Sequence, residues 1–254
     1  MKGRVVSLVV LGVVFWAFVV GESYGADPQA QLGKTVYERR CAFCHGLSGN
    51  GHGTAEFVYK KKEGKIWKLY PRDFTFGSFK FRSTPTGSLP TDADLMRILT
   101  RGIPRSSMPA GRDLSDAEKN AVIQYIKTFS ARWKNEQPGE SIHVSAKPDY
   151  VGSPESVAKG EQVWKNMKCW ECHGEQGKGD GTKSETIKDD MKRPILPFDF
   201  TIGALKRGSA PEDIYLAYTT GLDGTGMPSY EDSLNEEDRW NLVSYTQKLM
   251  GVVK

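Results

Sequence analysis

The chain of 254 residues is poor in cysteine, with four, and in histidine, also four. No cysteine falls outside two short motifs, so no thiols remain for a wider disulfide framework. Net charge is equally scarce: 35 basic residues face 31 acidic ones, a formal +4 at pH 7. A nucleic-acid partner calls for a strongly basic domain with clustered charge, so that class is set aside. Long apolar runs are missing too. The one candidate, Val5 to Val20, has 16 residues interrupted by Ser7 and Gly12, short of the roughly 20 that span a bilayer comfortably. At 38% hydrophobic and 26% charged, the composition is ordinary for one or two globular domains.

What is present begins with a leader. Residues 1–26 have a basic start (Lys2, Arg4), the apolar stretch and then small residues, and read as an export signal cleaved near Gly25 or Ala26. Without Lys2, Arg4 and Glu22 the chain has 33 basic and 30 acidic residues, a formal +3. The remainder is expected outside the cytoplasm, in a periplasm, with membrane contact only if the leader is retained.

All four cysteines lie in two copies of Cys-x-x-Cys-His: Cys41, Cys44 and His45, then Cys169, Cys172 and His173. One helical turn between the thiols lets both add to the vinyl groups of one porphyrin, and the next residue projects an imidazole onto its iron. Two covalently bound haem c groups are therefore expected. A shared zinc site would bring its halves within a few tens of residues, whereas these pairs lie 128 apart. Redox or structural disulfides would leave the repeated histidine unexplained. Four propionate charges would bring the loaded protein close to neutral.

The repeat runs further. His45-Gly46-Leu47-Ser48-Gly49-Asn50-Gly51-His52-Gly53 parallels His173-Gly174-Glu175-Gln176-Gly177-Lys178-Gly179-Asp180-Gly181, glycine-dense loops suited to passing close to a flat ring. They lack the Lys-Ser/Thr signature of a phosphate loop. Asp73-Phe74-Thr75 returns as Asp199-Phe200-Thr201, and Gly102 to Met108-Pro109 as Gly221 to Met227-Pro228. Each half closes on an amphipathic helix, announced by a capping box at Ser115/Glu118 and a weaker signal at Asn235/Asp238. Before each haem motif, Gly33 with Tyr37 and Gly160 with Trp164 share one helical face, which predicts a close crossing by the last helix near Tyr125 or Tyr245.

These repeats predict an all-α chain of two tandem domains, 27–130 and 156–254, joined by a polar Pro- and Gly-punctuated linker at 131–155. The second axial position of each iron decides between carrying electrons and chemistry on a ligand. Met108 and Met227 share the same Gly-x-x-x-x-x-Met-Pro context, and proline keeps each out of helical geometry, on a loop able to face the ring. They are the expected ligands opposite His45 and His173. Met96 and Met250 read as core fillers, Met167 is too near Cys169, Met191 is a reserve, and His52 and His143 read as surface residues.

On these motifs the chain resembles class I cytochromes c in the tandem dihaem, cytochrome c4-like arrangement. The resemblance covers nearly the whole sequence after the leader. It implies small all-α domains whose His/Met haems pass single electrons, with no catalytic residue. The segments Phe79 to Thr84 and Leu89 to Asp92 also resemble cytochromes that accompany larger respiratory oxidoreductases, so a carrier serving such an enzyme, or a subunit of it, is expected. The rival is a dihaem enzyme, peroxidase-like or thiosulfate-oxidising, with one iron open or unusually ligated. The stretch Val58 to Arg82 departs from the second half and has a net charge of +6. Lys60, Lys61, Lys62, Lys65 and Lys68 within it would steer an acidic redox partner towards the first haem.

Overall fold

The computed structural model describes residues 27–62 and 65–254, with the side chains of 58–66 outside the description. The expected leader at 1–26 lies outside the described residues, as do the side chains of Lys60, Lys61, Lys62 and Lys65. No described helix is long and apolar enough to cross a membrane.

Each half is built from the same helices. In the first, α1 (Pro28–Arg40) starts on Asp27, whose carboxylate accepts the Gln29 amide at 3.0 Å, with Pro28 in the first turn where no amide is needed. A single turn, α2 (Ala42–His45), carries the haem motif. Helix α3 (Asp92–Arg101) has a full capping box between Thr91 and Asp94 and stops at Gly102, at φ +67°. Helix α4 (Asp116–Lys127) has the anticipated box between Ser115 and Glu118. After the single turn α5 (Arg132–Asn135), the second half repeats the plan. Helix α6 (Pro154–Asn166), the turn α7 (Trp170–His173), a 3-10 turn at Phe200–Ile202, α8 (Pro211–Thr220) and α9 (Glu236–Leu249) follow.

Two cores result, one per half. Val36, Tyr37, Phe74, Leu95, Leu99, Val122 and Ile123 form the first, and Trp164, Phe200, Tyr215, Trp240, Leu242 and Val243 anchor the second. The crossing anticipated from the glycine and aromatic spacing is present in both. A Cβ on Gly33 would sit 2.3 Å from the Ala121 carbonyl oxygen and 3.1 Å from Tyr125 Cβ. One on Gly160 would sit 2.0 Å from that of Asn241 and 2.9 Å from Tyr245 Cβ. First and last helices therefore pack backbone against backbone, as only glycine allows.

The all-α expectation holds with one addition. Within the charged stretch, β1 (Phe57–Lys62) and β2 (Lys65–Leu69) pair antiparallel, from Phe57↔Leu69 to Lys62↔Lys65, with an irregularity between Val58 and Lys60. Trp67 of this hairpin is buried and lines one cleft with Gly179 to Thr182 of the second half.

The halves are packed together through arginines. Arg82, fully buried, donates to the carbonyls of Phe79 and Pro85 in its own half, and to the Thr220 carbonyl (3.0 Å) and the Asp223 carboxylate (2.9 Å) of the other. Asp223 also accepts from Thr86 Oγ1 and the Gly87 amide, both at 2.9 Å. From α3, Arg97 reaches the Arg207 carbonyl and Asp213. The stretch 131–155 straps both halves: the Ile142 amide donates to the Ser83 carbonyl at 2.8 Å, and the Gly152 amide to Ser244 Oγ at 2.9 Å.

Candidate functional site

In the first half, α1 runs directly into the motif, the Cys41 amide donating to the Tyr37 carbonyl at 2.8 Å. The turn α2 then closes with the His45 amide on the Cys41 carbonyl at 2.9 Å, which sets the two thiols one turn apart. His45 is buried, and burial pushes its pKa down, which favours the neutral imidazole that a metal requires. Its Nδ1 lies 3.0 Å from the Arg72 carbonyl. A carbonyl only accepts, so Nδ1 carries the proton and Nε2 keeps its lone pair for a ligand. Phe74 stacks on the ring at 4.4 Å between centroids and fixes its plane.

The second half repeats this bond for bond. His173 Nδ1 donates to the Phe198 carbonyl at 3.2 Å, and Phe200 packs on the imidazole at 4.9 Å. Burial again lowers the histidine pKa. The glycine loops superpose in their bonding: Gly51 and Gly179 amides donate to the carbonyls of His45 and His173, and Gly53 and Gly181 to those of Cys44 and Cys172. The loop then hands the chain to the Asp-Phe-Thr repeat, the Phe74 amide donating to the Gly49 carbonyl at 2.7 Å and that of Phe200 to Gly177 at 2.8 Å.

The methionine loops are duplicated as closely. The Ile103 amide donates to the Met108 carbonyl (3.0 Å) and the Leu222 amide to that of Met227 (3.1 Å). The methionine amides donate to Ser106 Oγ and Thr225 Oγ1, both at 3.1 Å. Met108 and Met227 are half-buried, each packed against the core that contains the aromatic ring on its own half's histidine. Met96 and Met250 pack on the cores from their helices, as expected of fillers. His52 and His143 are exposed.

The residues present fit two haems. The four thiols are unbonded, and burial pushes Cys41 and Cys169 each up to about 11, so they are held neutral. Among the described residues no three His, Cys, Asp or Glu side chains converge to hold a metal ion, so the cysteine pairs are not halves of one zinc site. Burial lowers the pKa of Arg72, of Lys80 to about 8, of Lys206, and of Arg207 to about 10. Arg207 Nε and Nη1, Arg193 Nη1 and Trp133 Nε1 are buried donors without a protein acceptor. A buried donor without an acceptor costs ~1–3 kcal/mol. Carboxylates such as those of a haem would supply the acceptors these donors lack.

Paired thiols outside any disulfide, an imidazole with its Nε2 lone pair free, and a methionine loop on the same core, all occurring twice, define a tandem c-type haem protein. Residues 157–250 match the family model described as cytochrome c, and residues 28–126 that of the cbb3-type cytochrome c oxidase subunit III. A chain of the reducing HAO-like protein complex of Kuenenia stuttgartiensis is similar in structure, with 37% identity and a TM-score of 0.80 over 88% of this chain and 96% of that one. No curated protein matches the sequence. The chain belongs to the class I c-type cytochromes: it is an electron-transfer cytochrome with two domains and two covalently bound haem c groups.

Two features escaped the sequence reading. The residues that orient the histidines, Arg72 and Phe198, act through backbone carbonyls and so have no residue-type signature. Their position did have a signal: each immediately precedes a copy of the Asp-Phe-Thr repeat. The arginines that join the domains were legible only as scattered charges.

Proposed function

We propose that this cytochrome passes single electrons between redox proteins outside the cytoplasm, with His45 and Met108 as axial ligands of one iron and His173 and Met227 of the other. When bound, each haem supplies a one-electron couple at its iron. The protein keeps both imidazoles neutral and oriented, offers a thioether opposite each, and excludes water with two aromatic-rich cores. The observation that carries this reading is the duplicated methionine loop, held by the same two hydrogen bonds in both halves. These ligands would fill both axial positions of each iron, which supports a carrier over the peroxidase-like or thiosulfate-oxidising alternative. The similarity to a chain of a redox complex supports service to, or membership of, a larger oxidoreductase.

The test is the spectrum of the oxidised holoprotein. Met108→Ala and Met227→Ala are each expected to remove half of the long-wavelength charge-transfer band of thioether-ligated ferric haem. A band untouched by both variants refutes the ligand assignment. We further propose that the export leader is cleaved and that an acidic partner docks near the hairpin. Lys68 there, one of the five lysines of the proposed docking patch, pairs with Glu56 at 3.2 Å. Electron transfer to the partner should slow as salt rises, and a rate independent of salt removes the docking proposal.

A further inference from the structure

The residue that orients each proximal imidazole is also a contact of the other domain's methionine loop. In the first domain, the Arg72 carbonyl accepts from His45 Nδ1 at 3.0 Å. The Arg72 side chain leaves its domain: Nη1 is 3.8 Å from Asp190 Oδ2 of the second. It also lies 2.9 Å from where a Cβ on Gly224 would stand. Gly224 belongs to the loop from Gly221 to Met227, at φ +76°, and its carbonyl accepts from the Asp190 amide at 3.4 Å. Arg72 therefore holds the histidine of one haem site with its backbone and sets its guanidinium beside the methionine loop of the other.

The reverse contact uses different residues. Phe198 accepts from His173 Nδ1 through its carbonyl, at 3.2 Å. Its ring faces the guanidinium of Arg105, 5.9 Å from the centroid. Arg105 sits at φ +56° in the loop from Gly102 to Met108, and its Nη1 also donates to the Ile202 carbonyl just past Phe198. An ion contact serves in one direction and a cation–π contact in the other, yet the connectivity is the same: histidine anchor to methionine loop, twice, across one boundary.

We propose that Arg72 and Arg105 are positioning residues that couple the two haem sites, so that the ligand geometry of each domain, and with it the reduction potential, depends on the other. This rests on the axial-ligand reading above. The hydrogen bond to the proximal imidazole tunes its donor strength, and the set of the methionine loop tunes the thioether. A residue shared by the two makes their equilibria linked, and linkage is reciprocal. The two one-electron steps of the chain are then not independent.

The test is a redox titration of the holoprotein, combined with proton NMR of the Met108 and Met227 methyl groups in the reduced state. Arg72→Met is expected to displace the Met227 methyl resonance and lower the midpoint of the second haem, although no residue of the second domain has changed. Arg105→Met should do the same for the His173 ring protons and the second midpoint. Gly224→Ala, whose Cβ would press on Arg72, should displace the first haem's midpoint from the second domain. Arg72→Lys keeps the charge but not the planar contact, so it should leave the Met227 resonance displaced.

Full recovery by Arg72→Lys would show a purely charge-mediated effect and overturn the positioning role. Spectra and midpoints unchanged in the unmutated domain, for both Arg72→Met and Gly224→Ala, would overturn the coupling itself. Failure of the ligand reading is separate: it is seen when Met108→Ala and Met227→Ala leave the charge-transfer band intact.

Discussion

Gly160→Ala tests the packing on which the second haem domain is built. The added Cβ would stand 2.0 Å from the Asn241 carbonyl oxygen, 2.6 Å from its carbon and 2.9 Å from Tyr245 Cβ. Two of these atoms are backbone of α9, so no rotamer change relieves the clash and the helices must separate by about 1 Å to reach ordinary contact. Overpacking of this kind costs ~1–3 kcal/mol, and a gap of that size forfeits a quarter to a half of each neighbouring dispersion contact. The pairs affected include Trp164 against Tyr245, 5.6 Å between ring centroids. Alanine returns only ~0.5–1 kcal/mol through better helix propensity. A net loss of roughly 2 kcal/mol is expected, which lowers the melting temperature of a 100-residue domain by about 10 °C. The assay is thermal and denaturant unfolding of the holoprotein, with Gly251→Ala as control. That glycine has φ +71° but nothing within 4 Å of its added Cβ, so it bears only the backbone cost of ~1–2 kcal/mol. The reasoning is refuted if Gly160→Ala is as stable as the parent.

Three further outcomes are expected. Tyr37→Phe removes the buried hydrogen bond from the hydroxyl to the Gly46 carbonyl (2.7 Å) and should cost ~1 kcal/mol or somewhat more in denaturant titrations. The backbone amide and hydroxyl of Ser115 hold the Glu118 carboxyl below its usual range. Its contribution is therefore complete above the unfolded value and lost as pH falls through the folded one, so the stability advantage over Glu118→Gln should vanish in acid. A gap that persists there would rule out the charged cap. Replacing Cys41 and Cys44 together should lower the mass of the exported protein by one haem, while the second domain keeps its own.

The repeat made much of this molecule readable before any coordinates. Gly33 with Tyr37, and Gly160 with Trp164, share a helical face, and that face meets Tyr125 and Tyr245 as anticipated. Ser115 with Glu118 caps a real helix because the capping box is a local motif, as is the Thr91/Asp94 box that the sequence reading passed over. The hairpin was read as a charged insertion. Its lysines mask a short β-prone pattern, and the buried Trp67 lines a cleft with residues of the other domain. The same limit hid Arg72 and Arg82: the partners of a long side chain across a domain boundary depend on how the domains dock, which no local pattern encodes.

Arg82 and Arg207 bring the local and the long-range parts together. Both follow a Phe or Leu and a lysine after the Asp-Phe-Thr repeat, in Phe79-Lys80-Phe81-Arg82 and Leu205-Lys206-Arg207, so they occupy related positions. Arg82 is satisfied by Pro85, Phe79, Thr220 and Asp223. Arg207 has two nitrogens without a partner, for reasons visible in the sequence. The stretch that bends Pro85 back to Arg82 is shortened after Arg207 to Gly208-Ser209-Ala210-Pro211. The position in the first methionine loop corresponding to Asp223 is Pro104, which has no charge to offer. Arg82 is thus a structural clamp, whereas Arg207 keeps two buried donors without a protein acceptor. Arg82→Met should cost ~3–5 kcal/mol by leaving the Asp223 carboxylate without its counter-charge, with little change in either midpoint. Arg207→Met should leave stability nearly unaltered and, if a haem carboxylate accepts from its free donors, displace a midpoint and its pH dependence. If the two variants exchange these signatures, the division of labour between the arginines is wrong.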